Sequence, residues 1–272
     1  MVRSGNGGDS EPMRRLQRDG VALFHVEAGS ASPPLLLVHG WCCDHAYFAP
    51  QFEHFVDKQY RVVAVDLRGH GHSDKPRQNY SMQAFADDLA WLCATLGLDK
   101  PIVIGHSMGG IIAFDFACRY PDAVRAVVML DAAVVLPAGA KAAIPKMVES
   151  LRGSGYREAQ RRYVASALFL STDDQERKTR ILDDMSRAPQ HVMVSAMEGL
   201  HRYDSSLVAN DLRAPALYIA ADEPQRRADM TRFQRICPNL MFAQTAGSGH
   251  FCQLEVPEQV NPMIERFLMI AP

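Results

Sequence analysis

Apolar residues along this chain fall into two patterns, short and mostly unbroken runs, and longer stretches where they recur every three or four positions. The runs are Leu35–His39, Arg61–Asp66, Pro101–Ile104, Val124–Leu130, Pro215–Ala221 and Leu240–Thr245. A strand apolar on both faces must be covered on both faces, which predicts a mostly parallel sheet sandwiched by helices. Helical spacing marks Tyr47–Asp57 (through Phe48, Phe52, Phe55 and Val56), Ser81–Leu96, Ile111–Ala117, Arg226–Ile236 and Glu255 to about Leu268. Ser81 stands where an N-cap belongs. Near the start, Met13–Gln17 and Val21–Val26 flank Arg18-Asp19-Gly20. Asp-Gly between two short strands predicts a hairpin, because Gly accepts positive φ.

The strand–helix rhythm breaks between Ala132 and roughly Leu212. Four amphipathic helices are expected there, over Ala142–Leu151, Arg157–Leu170, Asp174–Arg187 and Gln190–Leu200. The chain therefore reads as one α/β domain, with residues 13–131 and 213–272 as core and 132–212 as an inserted helical cap. Residues 1–12 read as a polar, disordered tail without the apolar core of a signal peptide.

A chain of 272 residues with 47% hydrophobic and 22% charged residues can bury one large core. A net charge of −2 gives no electrostatic reason to expect nucleic acid or an anionic membrane as partner. No apolar run approaches the length of about 18 residues that suggests a membrane span, and a cytoplasmic location is the default expectation. The six cysteines are scattered through apolar segments without C-x-x-C spacing, so buried free thiols are expected rather than disulfides.

The chemistry concentrates at Gly105-His106-Ser107-Met108-Gly109-Gly110, directly after a β-branched strand and before a helix. Glycines two residues either side of Ser107 allow a sharp, close-packed turn that lifts the hydroxyl clear of the sheet. The turn also sets the Met108 N–H beside it, as one donor for a developing oxyanion. The second donor is expected from the loop after His39-Gly40, with the Trp41 N–H the natural candidate and its ring a possible wall of the acyl pocket.

A serine hydroxyl needs a base, and the base needs a carboxylate to orient it. With the nucleophile on an early strand, the acid and then the histidine should follow it in sequence. Only His191, His201 and His250 come after Ser107. The first two fall on expected cap helices, whereas His250 sits in Gly247-Ser248-Gly249-His250-Phe251, a loop at the carboxyl edge of the sheet. His250 is the candidate base. For the acid, Asp222 follows Leu217–Ala221 directly and is the first choice; Asp131 at the end of the neighbouring strand and Glu223 are its rivals. The pair His70 and His72 has no third ligand of matching spacing and reads as loop, not metal site. Met147, Phe169, Met193 and Phe251 are candidate pocket residues, although Met and aromatics at helical spacing more often serve as core.

Taken together, His39-Gly40-Trp41, Asp66–Ser73, Gly105–Gly110, Ala221-Asp222 and Gly249-His250-Phe251 resemble the α/β-hydrolase superfamily, in its branch of esterases, lactonases and C–C hydrolases with a helical cap. The resemblance runs from about Met13 to the C-terminus. It implies an α/β-hydrolase fold that hydrolyses a carboxylic ester or lactone through an acyl-enzyme, with no cofactor; the methionines and phenylalanine of the cap lean towards a medium-sized, apolar small-molecule substrate. The loop Glu223-Pro224-Gln225-Arg226-Arg227 is short for that family, which keeps Asp131 in play. Dehalogenases and epoxide hydrolases of this fold carry aspartate where Ser107 stands, which argues against both. A C–C hydrolase, a cofactor-free perhydrolase or haloperoxidase with the same triad, and a receptor-like binding module remain alternatives.

Overall fold

The computed structural model describes residues 14–271; the tail expected over 1–12 lies outside them. Eight strands form one sheet: β1 (Arg14–Arg18), β2 (Val21–Ala28), β3 (Ala31–Val38), β4 (Tyr60–Asp66), β5 (Ile102–His106), β6 (Ala126–Leu130), β7 (Ala216–Ala220) and β8 (Met241–Gln244). Their spatial order is β1-β2-β4-β3-β5-β6-β7-β8. The β1–β2 and β2–β4 pairs are antiparallel and every later pair is parallel. The β1–β2 turn has positive φ at both Asp19 and Gly20, the conformation the Asp-Gly dipeptide predicts.

Both faces of the sheet carry cores, which is why the strands read as continuous apolar runs. Leu35 and Leu37 of β3 and Ile102 and Ile104 of β5 point to one face, against α1 (Ala49–Asp57) and α10 (Pro257–Ile270) through Phe52, Phe55, Ile264 and Phe267. Leu36, Val38 and Val103 point to the other, against α2 (Met82–Leu96) and α3 (Met108–Arg119) through Leu89, Leu92, Ile112 and Phe116. Truncating any one of these buried side chains to Ala should cost about 2–5 kcal/mol. The Ser81 hydroxyl caps α2 by accepting from the Ala84 N–H, worth about 1 kcal/mol.

Between β6 and β7 the chain forms α4 (Ala138–Arg152), α5 (Tyr156–Ala167), α6 (Gln175–Met185) and α7 (Gln190–Arg202). Helix α4 packs on α5 and α7, and α5 on α6. After β7 come α8 (Met230–Ile236), β8 and a short helix, α9 (Cys252–Glu255). The helix expected over Arg226–Ile236 thus begins at Met230, capped by the Asp229 side chain, and residues 226–229 are loop. All six cysteines are buried free thiols. No helix among the described residues is long and apolar enough to cross a membrane.

Candidate active site

Ser107 lies between β5 and α3 with φ 55° and ψ −121°, in the left-handed region that costs an L-residue energy. The tightness of the turn explains its glycines. A Cβ on Gly105 would lie 2.2 Å from the Gly109 carbonyl oxygen, and one on Gly109 would lie 2.1 Å from that of Val38. Only hydrogen at these positions lets α3 start flush against the sheet. Sheet bonding holds the strained residue in place, since the Ser107 N–H donates to the Leu130 carbonyl at 2.9 Å. Met108 opens α3, so its N–H has no acceptor within the helix.

The carboxylate beside His250 is not the first choice made from the sequence but its rival, Asp131. His250 Nδ1 is 2.6 Å from Asp131 Oδ2, and both residues are almost fully buried. Asp222 is exposed and turned away: its carboxylate accepts the Gly247 N–H at 2.9 Å and the Gln244 amide at 3.5 Å, bracing the loop that carries His250. Register explains the difference. His106 of β5 pairs with Leu130 of β6, so Ser107 and Asp131 stand at the same height on adjacent strands. Leu130 pairs in turn with Ile219 of β7, which leaves Asp222 beyond that level and one strand further out. Asp131 itself has φ 42°, and its Oδ1 accepts the Ala221 N–H at 3.1 Å. Glu223, the third candidate, pairs with Arg227 at 2.6 Å.

Burial, reinforced by the nearby Arg227 guanidinium, depresses the His250 pKa well below the imidazole value of 6.5. Burial pushes the Asp131 carboxyl upward, opposed by Arg227 and the Ala221 N–H. With Nδ1 committed to Asp131, Nε2 is the nitrogen left for the cavity that His250 and Ser107 both line. Ser107 makes no side-chain hydrogen bond among the described residues.

Three further side chains escaped the sequence reading. His106 Nε2 bonds the His250 carbonyl at 2.8 Å and its ring stands 4.7 Å from that of His250, so the residue beside Ser107 anchors the loop that carries His250. Burial keeps it neutral, with its pKa lowered to about 3. His39 Nε2 accepts the Leu67 N–H at 3.0 Å while Nδ1 bonds the Gly40 carbonyl at 2.8 Å, which fixes the loop leading into Trp41. Arg227, expected at a helix start, instead places its Nε 3.5 Å from Asp131 Oδ2.

A cavity of about 680 Å³ opens above Ser107. Trp41, Ile111, Ile144, Leu168, Met185, Met197 and Phe251 supply apolar wall, with Gln225, Arg226 and Arg227 also lining it. Of the pocket residues expected from sequence, the Trp41 ring and Phe251 face it, whereas Met147, Phe169 and Met193 do not. Met193 is fully buried one turn behind Met197, and its carbonyl accepts the Trp41 indole N–H at 3.1 Å. Phe169 instead packs against Phe251, the ring centroids 5.4 Å apart and tilted by 33°, and Met147 packs against the core. Helical spacing alone does not say which apolar face meets a void and which meets a neighbouring helix.

His70 and His72 diverge. His70 Nδ1 bonds the Arg68 carbonyl at 3.0 Å, whereas His72, with His45, surrounds Asp66. The Asp66 oxygens already take the N–H groups of His45 and His72, which pins that loop. Ligand atoms of Asp131, Glu223 and His250 lie within 4.8 Å of one another, the spacing of a metal site, but the Arg227 guanidinium supplies positive charge beside both carboxylates.

The family model for the alpha/beta hydrolase fold matches residues 33–257, a span holding Ser107, Asp131 and His250. The chain belongs to the α/β-hydrolase superfamily. It is 30% identical over 267 residues to a 2-(acetamidomethylene)succinate hydrolase of Mesorhizobium japonicum, a match covering 94% of each chain. Among solved structures, a thermophilic esterase of Thermogutta terrifontis superposes with a TM-score of 0.83 at 27% identity, covering 94% of this chain and 98% of that one. An enol-lactonase of Burkholderia xenovorans gives 0.82 at 21% identity, covering 94% and 100%, a likeness of fold. This α/β-hydrolase is a hydrolase, and its fold implies a small-molecule substrate.

Proposed function

We propose that this α/β-hydrolase cleaves a carboxylic ester or lactone through an acyl-enzyme on Ser107. One observation carries the reading: a serine held at a strained strand–helix turn lines the same cavity as a buried histidine whose Nδ1 lies 2.6 Å from a carboxylate. Ser107 Oγ bonds to the acyl carbon as its proton passes to His250 Nε2. Asp131 holds the ring by Nδ1 and stabilises the imidazolium, the role first given to Asp222. Negative charge on the carbonyl oxygen is received by the Met108 and Trp41 N–H groups, each worth a few kcal/mol. The imidazolium returns its proton to the leaving oxygen, water attacks the acyl carbon with His250 again as base, and the acid departs. The helices between β6 and β7 act as a cap that sizes the acyl group.

The apolar wall favours a medium-sized apolar substrate. The Mesorhizobium relative is named for a substrate bearing an amide and two carboxylates, so an N-acyl enamide diacid belongs in the assay panel beside esters and lactones. A fluorophosphonate should add one equivalent to the wild type at Ser107 and none to Ser107→Ala, with acetate-ester hydrolysis lost in the variant. Labelling at another serine, or peroxide-dependent halogenation without ester cleavage, would overturn the proposal.

A further inference from the structure

We infer that Arg227, clamped by Glu223 and by the end of helix α5, is a positioning residue that holds the Asp131–His250 pair in its working charge state. The inference rests on the serine-hydrolase reading above. Arg227 touches three separate elements. Its Nε is 3.5 Å from Asp131 Oδ2 at the end of β6, and its Nη2 is 2.6 Å from Glu223 Oε1 in the loop after β7. The same Nη2 donates to the carbonyl of Ala167, the last residue of α5. A planar guanidinium can serve three such directions at once; an ammonium cannot hold them in fixed geometry.

The charge arrangement requires a cation there. Asp131 and Glu223 retain only 2% and 7% of their side-chain exposure, and their oxygens lie within 4.8 Å of each other and of a His250 nitrogen. Two carboxylates so placed would share a proton, and a protonated Asp131 could neither orient His250 as an acceptor nor balance an imidazolium. Arg226 does not serve, because its guanidinium lies 4.8 Å over the Phe242 ring and bonds Gln244. The Arg227 charge also opposes protonation of His250, so the base stays free at neutral and mildly acidic pH. Among the described residues, the other polar groups around the pair include His106 from β5, Tyr218 from β7, Tyr163 from α5, Asp173 from the α5–α6 link, and Cys252 and Glu255 from α9. Arg177 of α6 is a further cation, and it acts on Glu255.

Because Ala167 ends a helix inserted between β6 and β7, the same guanidinium ties that insertion to the proton relay. Position 227 thus reports whether the insertion is seated. An unseated α5 removes one of the contacts that fix the guanidinium against Asp131.

The experiment is a kcat/KM profile against pH on a small acetate ester for wild type, Arg227→Met, Arg227→Lys and Glu223→Gln, with melting temperatures for each. Arg227→Met should lose at least about tenfold at neutral pH and move its acid limb upward by about one unit, since a cation beside the base has gone. Glu223→Gln should move the limb downward, because it leaves Arg227 less compensated. Arg227→Lys should fall between Arg227→Met and wild type. Profiles for Arg227→Met and Glu223→Gln that superimpose on wild type, with only the melting temperature lowered, would make the residue a strut and overturn the inference. Should Arg227→Met fail to fold, Glu223→Gln decides, and an unmoved or upward-shifted limb sinks the idea. Phosphonate labelling keeps the two readings apart. A wild type unlabelled at Ser107 removes the serine mechanism and this inference together, whereas a labelled wild type with unmoved profiles removes only the inference.

Discussion

Asp131 Oδ2 lies 2.6 Å from His250 Nδ1 across a buried gap between the end of β6 and the loop before α9. The carboxylate's other oxygen takes the Ala221 N–H, so both of its oxygens are engaged. Asp131→Asn should keep the shape and lose about 10³–10⁴ in kcat, because an amide favours the wrong imidazole tautomer. Asp222→Asn, which alters only an exposed brace of the loop, should stay within about threefold of wild type. Steady-state kinetics on both variants checks the assignment; the reverse ranking would return the acid to Asp222.

The pH dependence follows from the depressed pKa of His250. The working form of the base is neutral, and burial together with Arg227 disfavours the charged form, so protonation sets in only well below 6.5. Activity should therefore hold as pH falls through 6.5 and drop only in the more acidic range, where His250 gains its proton. An acid limb of kcat/KM centred at or above 6.5 would contradict this placement.

Substrate ranking should respond to residues that face the cavity and ignore those behind them. Met197→Ala and Leu168→Ala enlarge the wall and should favour longer acyl chains about threefold to tenfold over acetate. Met193→Ala should leave the ranking unchanged while destabilising the fold by about 2–5 kcal/mol, since its side chain is fully buried outside that wall. Specificity constants over a chain-length series, read beside melting temperatures, separate the two behaviours.

Gly109 offers a purely steric test of the turn. A methyl there would sit 2.1 Å from the Val38 carbonyl oxygen and 2.4 Å from that of His39, both backbone atoms with little room to yield. Gly109→Ala should cost several kcal/mol or prevent folding altogether, a loss measurable by denaturant unfolding. A fully stable Gly109→Ala protein would mean that α3 does not press on β3 as described.

Much of this was legible in the chain. The sheet showed as apolar runs because both of its faces are covered, and the elbow showed because Gly105 and Gly109 have no room for a Cβ. His250 could be reached by elimination along the sequence. The carboxylate that contacts it could not, because Asp131 and Asp222 both follow strands directly, and what separates them is how far each strand runs before it ends. That height is a matter of register, fixed by pairing partners such as His106 with Leu130, and sequence spacing does not carry it. Arg227 was hidden for a related reason: its partners Asp131 and Ala167 are distant in sequence and meet it only through the fold. The cavity wall was misjudged because Met193 and Met197 share one helical stripe, and a stripe does not reveal where a void begins.

The bond from the Trp41 indole to the Met193 carbonyl has a mechanical consequence. Trp41 belongs to the loop expected to grip the oxyanion, and Met193 belongs to helix α7 of the insertion. A ligand that shoulders α7 outward must either snap this link or drag the gripping loop with it. If Trp41 grips the oxyanion as proposed, admission and grip share one pin, and a molecule too large for the chamber would loosen the hold on its own carbonyl as it enters.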